Sequence, residues 1–229
     1  MSEMDAMNFS GLGPLWLSVQ LAAVTTVVLL LIGTPLAWWL AQTKTRWKSA
    51  IEAAVALPIV LPPTVMGFYL LILLGPYGAI GRWWVELTGS TLTFSFSGLV
   101  IASCLYSLPF AVQPLQNAFE AHGRLELEAA WTLGASRLDA FFTVVVPQSA
   151  RGFLNAIVMA FAHTLGEFGV VLMVGGNIPG ETQVISIAIY DQVESMNYAS
   201  AHRLSAILLV FAFTALFAMY FINRRWQRR

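Results

Sequence analysis

The chain has 229 residues, 58% hydrophobic and 10% charged, with 12 basic and 12 acidic residues giving zero net charge. Soluble domains carry about 25% charged residues, so this composition and a mean hydropathy of +0.71 exclude an ordinary soluble domain and predict an integral membrane protein. Zero net charge excludes a basic nucleic-acid binder, and the lone Cys104 excludes an intrachain disulfide framework. No Cys/His cluster has metal-ligand spacing, and Cys104, inside an apolar run, reads as a small core residue.

From the N-terminus there is no charged residue between Asp5 and Lys44. This apolar run is far longer than the core of a signal peptide, which predicts a retained first span over about 15–41, bent by Gly33-Thr34-Pro35. Lys44, Arg46 and Lys48 follow at once and mark the cytoplasmic side. A second span is expected over about 54–74. Its Leu57-Pro58-Ile59-Val60-Leu61-Pro62-Pro63 start predicts a kink, either packed or lining a pathway, because proline frees carbonyls that lipid cannot satisfy. Gly75-Pro76-Tyr77-Gly78 then forms a turn.

The third span is expected over about 97–116, with Ser103, Ser107 and Gln113 on a mildly polar face and a bend at Pro109. Serine in a span bonds its own backbone or a neighbouring helix more often than a substrate. Next comes the one long amphipathic segment between spans, about 120–146. Leu127, Ala130, Trp131 and Gly134 recur at helical spacing opposite Glu128 and Thr132, which predicts a single apolar face. Gly134 interrupts this helix, and Ser136 with Asp139 three residues on predicts a capped second helix through Phe141 and Phe142, closed by Pro147. Two short helices with a glycine corner form a bracket suited to docking in another protein's groove.

A fourth span is expected over about 147–174. Gly152, Ala156, Ala160 and Thr164 recur every fourth residue, a small-residue stripe that lets a helix approach closely, within one copy or between two. Glu167 is isolated among uncharged residues and is expected to face a cavity, a partner chain or His163 one turn back. Alternatively it is a hydrated interfacial carboxylate: roughly 30 Å of helix from Pro147 places it near the outer membrane boundary. Gly175-Gly176-Asn177-Ile178-Pro179-Gly180 reads as an outer loop, and the last span is expected over about 201–223. Nine basic residues fall in the inner segments, Arg82 and Arg203 outside, and Arg151 near the inner boundary. That asymmetry predicts five spans in a single 1–229 domain, N-terminus outside and C-terminus inside.

Glu128-Ala129-Ala130, Gly134-Ala135 and Val146-Pro147 resemble the EAA loop of ABC-importer permeases. Gly166-Glu167-Phe168-Gly169, Asn177-Ile178-Pro179-Gly180-Glu181-Thr182 and Leu57-Pro58 through Pro62-Pro63 resemble the molybdate branch of that family, in its five-span bacterial form. The resemblance covers about residues 15–222. It implies an all-α permease in the bacterial inner membrane that is not itself an enzyme. Expected partners are a second copy of this chain, two cytoplasmic ATPase subunits that hold the ATP, and a periplasmic molybdate-binding protein. No cofactor is expected on this chain, nor is a soluble or C-terminal regulatory domain. Glu128, Ala129, Ala130, Gly134, Ala135 and Pro147 are the implied ATPase-coupling residues.

Glu167, Phe168, Gly169, Pro62, Pro63, Ser103 and Ser107 are the expected gate or pathway residues, with Glu167 holding an outward-closed contact between two copies. The spans lack mid-membrane Lys or Arg, so weak, donor-lined passage is expected rather than tight anion binding. Tungstate or sulfate is the alternative substrate. A secondary transporter would need more mid-membrane carboxylates and internal repeats, and a membrane assembly subunit would not need the coupling motif.

Overall fold

The computed structural model describes residues 12–121 and 124–226, and these are all-helical, without a strand. The helices are α1 (Leu12–Gln42), α2 (Lys48–Val60), α3 (Pro63–Leu74), α4 (Ala79–Thr88), α5 (Phe96–Ala121), α6 (Arg124–Thr132) and α7 (Arg137–Ala140). After a π-helical turn (Phe141–Val145) come α8 (Val146–Gln148), α9 (Ala150–Leu165), α10 (Gly169–Gly175), α11 (Ile185–Glu194) and α12 (Tyr198–Trp226).

Three helices, α1, α5 and α12, are long and apolar enough to cross a membrane unbroken. Two bent pairs bring the number to five if each pair crosses once. At 1.5 Å per residue α1 reaches roughly 45 Å, more than the hydrocarbon thickness, so it tilts.

The second expected span is not one helix. Between α2 and α3 the chain bends by 111°. Leu61 is extended (ψ 135°), as a residue before proline must be, and Pro62 is extended too (ψ 137°). Pro63 then opens α3 at a position where a missing N–H costs nothing. The run of prolines therefore redirects the chain, a larger effect than the expected kink. The fourth span also departs from expectation. A 72° bend divides residues 137–148 from α9, so the membrane helix starts after Ser149 and Pro147 belongs to the preceding unit.

α5 is the central post, packed on α1, α2 and α9. Small side chains bring these helices close at several points, because lipid gives no hydrophobic drive for helix association and dispersion at close range must supply it. Gly33 of α1 lies against Val112 of α5, and Leu29, Cys104, Ala111 and Ala160 form one buried cluster. The stripe on α9 is internal. A Cβ built on Gly152 would collide with that of Ala118 on α5, and Ala156 and Ala160 are fully buried. A second close pair joins α3 to α10, where Gly67 faces Met173 and Gly169 faces Pro63.

α12 touches only α11 and α9 substantially, and leaves Phe213 and Phe217 stacked on an exposed face. That face matches acyl chains in character.

Two outcomes are expected from the internal stripe. Gly152→Val forces α5 and α9 apart and should destabilise the bundle by about 1–3 kcal/mol, read as a lower melting temperature in detergent. Ala156→Cys in a Cys104→Ser background should give no cross-link between copies, and an inter-copy product would show that the stripe opens to a partner.

Candidate functional site

Two regions carry the residues singled out in the sequence. The first is the bracket of α6 and α7. Gly134 adopts φ +91°, and nothing lies within 4 Å of a Cβ built there, so conformation rather than space demands glycine. The Ala135 N–H donates to the Ala130 carbonyl and the Gly134 N–H to that of Trp131, both at 3.0 Å. This paired closure is a Schellman cap, and it explains why Ala130, Gly134 and Ala135 belong together: both alanines tuck against the same buried cluster. Ser136 Oγ accepts the Asp139 N–H at 3.1 Å and starts α7, as its spacing predicts.

Proline at 147 removes a donor and crowds the carbonyl four residues back. The π-helical turn immediately before it widens the backbone at that place.

The expected single apolar face of this bracket is divided. Leu127 is buried with Phe119 and Val145 in the chain's own core, and Ala130 packs beside it. Trp131 and Gly134 point outward, joined by Leu133 at 89% and Leu138 at 73% exposed, with Phe142 also exposed. The helix ends at Thr132, so its 3.6-residue period stops there and the cap turns the chain in a new direction. Glu128 and Ala129 are exposed beside this outward apolar patch, and Pro147 is exposed at the end of the unit. Large apolar side chains exposed together on a polar helical bracket are characteristic of surfaces that meet a protein or a membrane.

The second region surrounds the break between α9 and α10. Glu167 is only 5% exposed, inside the bundle of a single chain. Within one chain this places the carboxylate in the bundle interior rather than at a hydrated interface. The helix starts at Ala150 and stops at Leu165, so no unbroken helix leads from Pro147 to Glu167. Neither carboxylate oxygen is hydrogen-bonded within the chain.

His163 does not partner Glu167. Its Nδ1 is hydrogen-bonded to Ser107 Oγ at 2.9 Å, and its ring stacks on Phe110. Ser107 also bonds Thr164 Oγ1 at 3.0 Å, so the serine joins α5 to α9. Phe168 packs against Tyr190, and Gly169 against Pro63, which brings two separate sequence motifs into contact. Pro62 remains exposed at the α2–α3 corner.

Sequence reasoning missed two anchors. Thr182 Oγ1, fully buried, donates to the Gly175 carbonyl and accepts the Ile178 N–H, which closes the 176–184 loop. Ser18 Oγ on α1 accepts the Ile185 N–H at 2.8 Å and so holds the start of α11. A threonine ending a glycine-rich turn is a readable signal for the first. No local signal pairs residues 18 and 185.

Known proteins share this architecture. A chain of a bacterial ABC transporter involved in the import of alginate superposes with a TM-score of 0.76 at 15% identity, covering 93% of this chain and 79% of that one. A chain of the inward-facing MetNI methionine ABC transporter gives 0.74 at 17% identity, covering 98% and 99%. The molybdenum transport system permease protein ModB of Azotobacter vinelandii is 58% identical over 91% of this chain and 92% of its own length. ModB of Escherichia coli K12 is 34% identical over 93% of each. The E. coli sulfate permease protein CysT is 30% identical over 86% of this chain and 71% of its own. Residues 33–228 match the family of binding-protein-dependent transport system inner membrane components, and the chain belongs to that family.

Proposed function

We propose that this chain is the membrane-spanning permease subunit of an ATP-driven importer that brings molybdate into the cytoplasm. The observation that carries the substrate is the 58% identity, nearly end to end, with the A. vinelandii molybdenum permease protein. The weaker match to a sulfate permease protein keeps sulfate, and with it tungstate, as the alternative. The exposed Trp131–Leu133–Leu138 patch supports the docking of a cytoplasmic ATPase subunit, which supplies hydrolysis that this chain does not. Two copies of the chain would enclose the path, each bound to one ATPase. A periplasmic molybdate-binding protein delivers the anion. The basic residues following α1 and ending α12 support a cytoplasmic C-terminus, and with it an ATPase-facing α6 and α7.

In this reading ATP binding draws the two ATPases together and pulls on the bracket. The Schellman-capped corner transmits that pull because its backbone is held at both ends, by Ala130 on α6 and Ser136 on α7. Rigid bundles then rock between inward and outward states, each stabilised by what binds it better.

Two outcomes test this. Vesicles containing the chain with its ATPase and binding protein should accumulate labelled molybdate only with ATP inside. Excess tungstate should compete more strongly than sulfate, and the reverse order would favour the sulfate reading. Gly134→Val forces a β-branched residue to φ +91°, a cost of roughly 1–2 kcal/mol that the loop relieves by losing its cap. The variant should insert normally yet lose most binding-protein-stimulated ATP hydrolysis, and unchanged stimulation would remove the coupling role from this corner.

A further inference from the structure

A cavity of about 800 Å³ opens between α5 and the start of α9. Its polar lining comes from Gln113 and Asn117 on α5, from Gln148 and Ser149 at the 72° corner, and from Arg151 and Asn155 on α9. Every one of these side chains can donate a hydrogen bond, and the lining includes no carboxylate. Glu52, which lines a neighbouring hollow together with Gln113 and Asn117, is engaged by Gln116 at 2.6 Å and lies 3.7 Å from the Lys48 ammonium.

Ser149 forms part of the cavity wall, with its Oγ buried rather than open to the space. It is 1% exposed, it lines the cavity, and its Oγ is not hydrogen-bonded within the chain. Although it precedes α9, its hydroxyl does not cap that helix. The 16-residue α9 starts at the cavity wall, with the positive end of its dipole there. Arg151 and Asn155, one turn apart, are both exposed along the cavity, while the residues that follow each, Gly152 and Ala156, are buried against the bundle.

Gln113 lies one turn inside the expected inner end of the third span and Asn117 just past it, and both are exposed. Exposed amides there belong to a hydrated wall at the boundary of the span.

We propose that this cavity is a transfer site for a tetrahedral oxyanion at the inner end of the path. There Arg151 receives the anion, and Gln113, Asn117, Gln148 and Asn155 replace part of its hydration. The assignment rests on the importer reading above. One guanidinium facing a doubly charged anion leaves it undercompensated, and the cavity is much larger than such an anion. The site therefore holds its ligand briefly and releases it to water, as conduction requires. It also supplies a cationic donor, which the spans lack in mid-membrane.

The test uses the complete complex of this chain with its ATPase and binding protein, carrying Asn155→Cys in a Cys104→Ser background. A negatively charged thiol reagent modifies Cys at 155 in the detergent-solubilised complex, with sodium molybdate as the probe and sodium chloride matched for ionic strength. Molybdate should slow modification several-fold where chloride does not. Adding Arg151→Gln should abolish this protection, and Arg151→Lys should retain part of it. In vesicles, Arg151→Gln should lower molybdate taken up per ATP hydrolysed by about tenfold, the effect of losing one charged hydrogen bond.

Equal modification rates in molybdate and chloride would overturn the site. So would protection that persists undiminished in the Arg151→Gln complex. If protection depends on Arg151 while the parent complex imports no molybdate, the anion site stands and the importer reading fails.

Discussion

Close approach between helices is the constraint on which the rest of this structure depends. In lipid, apolar side chains gain little by leaving the solvent, so a bundle of this composition is held by dispersion at short range and by hydrogen bonds between helices. Gly152 on Ala118, Gly33 on Val112, Gly67 on Met173 and Gly169 on Pro63 bring helices near enough for that. Ser107 then adds polar links from α5 to His163 and Thr164 on α9. With α5 fixed as the post, the corner at Ser149 and the break at Glu167 take up fixed positions at either end of α9.

The bracket and the proposed anion cavity are mechanically adjacent. α6, α7 and the π-helical turn pack on the inner end of α5 through Leu127, Ala140 and Val145 around Phe119. The same chain direction then leads through Gln148 to Ser149 and Arg151. Force applied to the exposed face of the bracket therefore reaches the start of α9 across a few residues of helical chain. A transfer site there would change shape with the bracket, which gives a short physical route from ATP binding to release of the anion.

Glu167 has a different environment. It is enclosed, and neither of its carboxylate oxygens is hydrogen-bonded within the chain. Its backbone carbonyl is held by Ser186 Oγ on α11 at 2.6 Å. The break at 166–168 thus joins α11 to the α9–α10 pair through main chain, and the carboxylate belongs to the interior of one bundle.

Composition and spacing by themselves determined the membrane class, the basic flanks of the first and last spans, the glycine corner at 134, the Ser136 cap and the family resemblance. Each depends on residue type or on neighbours within one or two turns, which a linear sequence displays directly. Tertiary structure decided whatever depended on direction or on distant partners. Three prolines foretold a disturbed helix, but only the packing of α3 on α10 turned that into a 111° reversal. The small-residue stripe announced a close contact, and Ala118 on α5 made it an internal one. Helical periodicity grouped Leu127 with Trp131, yet the Schellman cap and the core around Phe119 sent one inward and left the other outside. Glu167 read as a boundary residue because an unbroken helix was counted to it. Arg151, Asn155, Gln113 and Asn117 come from two helices more than thirty residues apart, and only the fold sets them around one cavity.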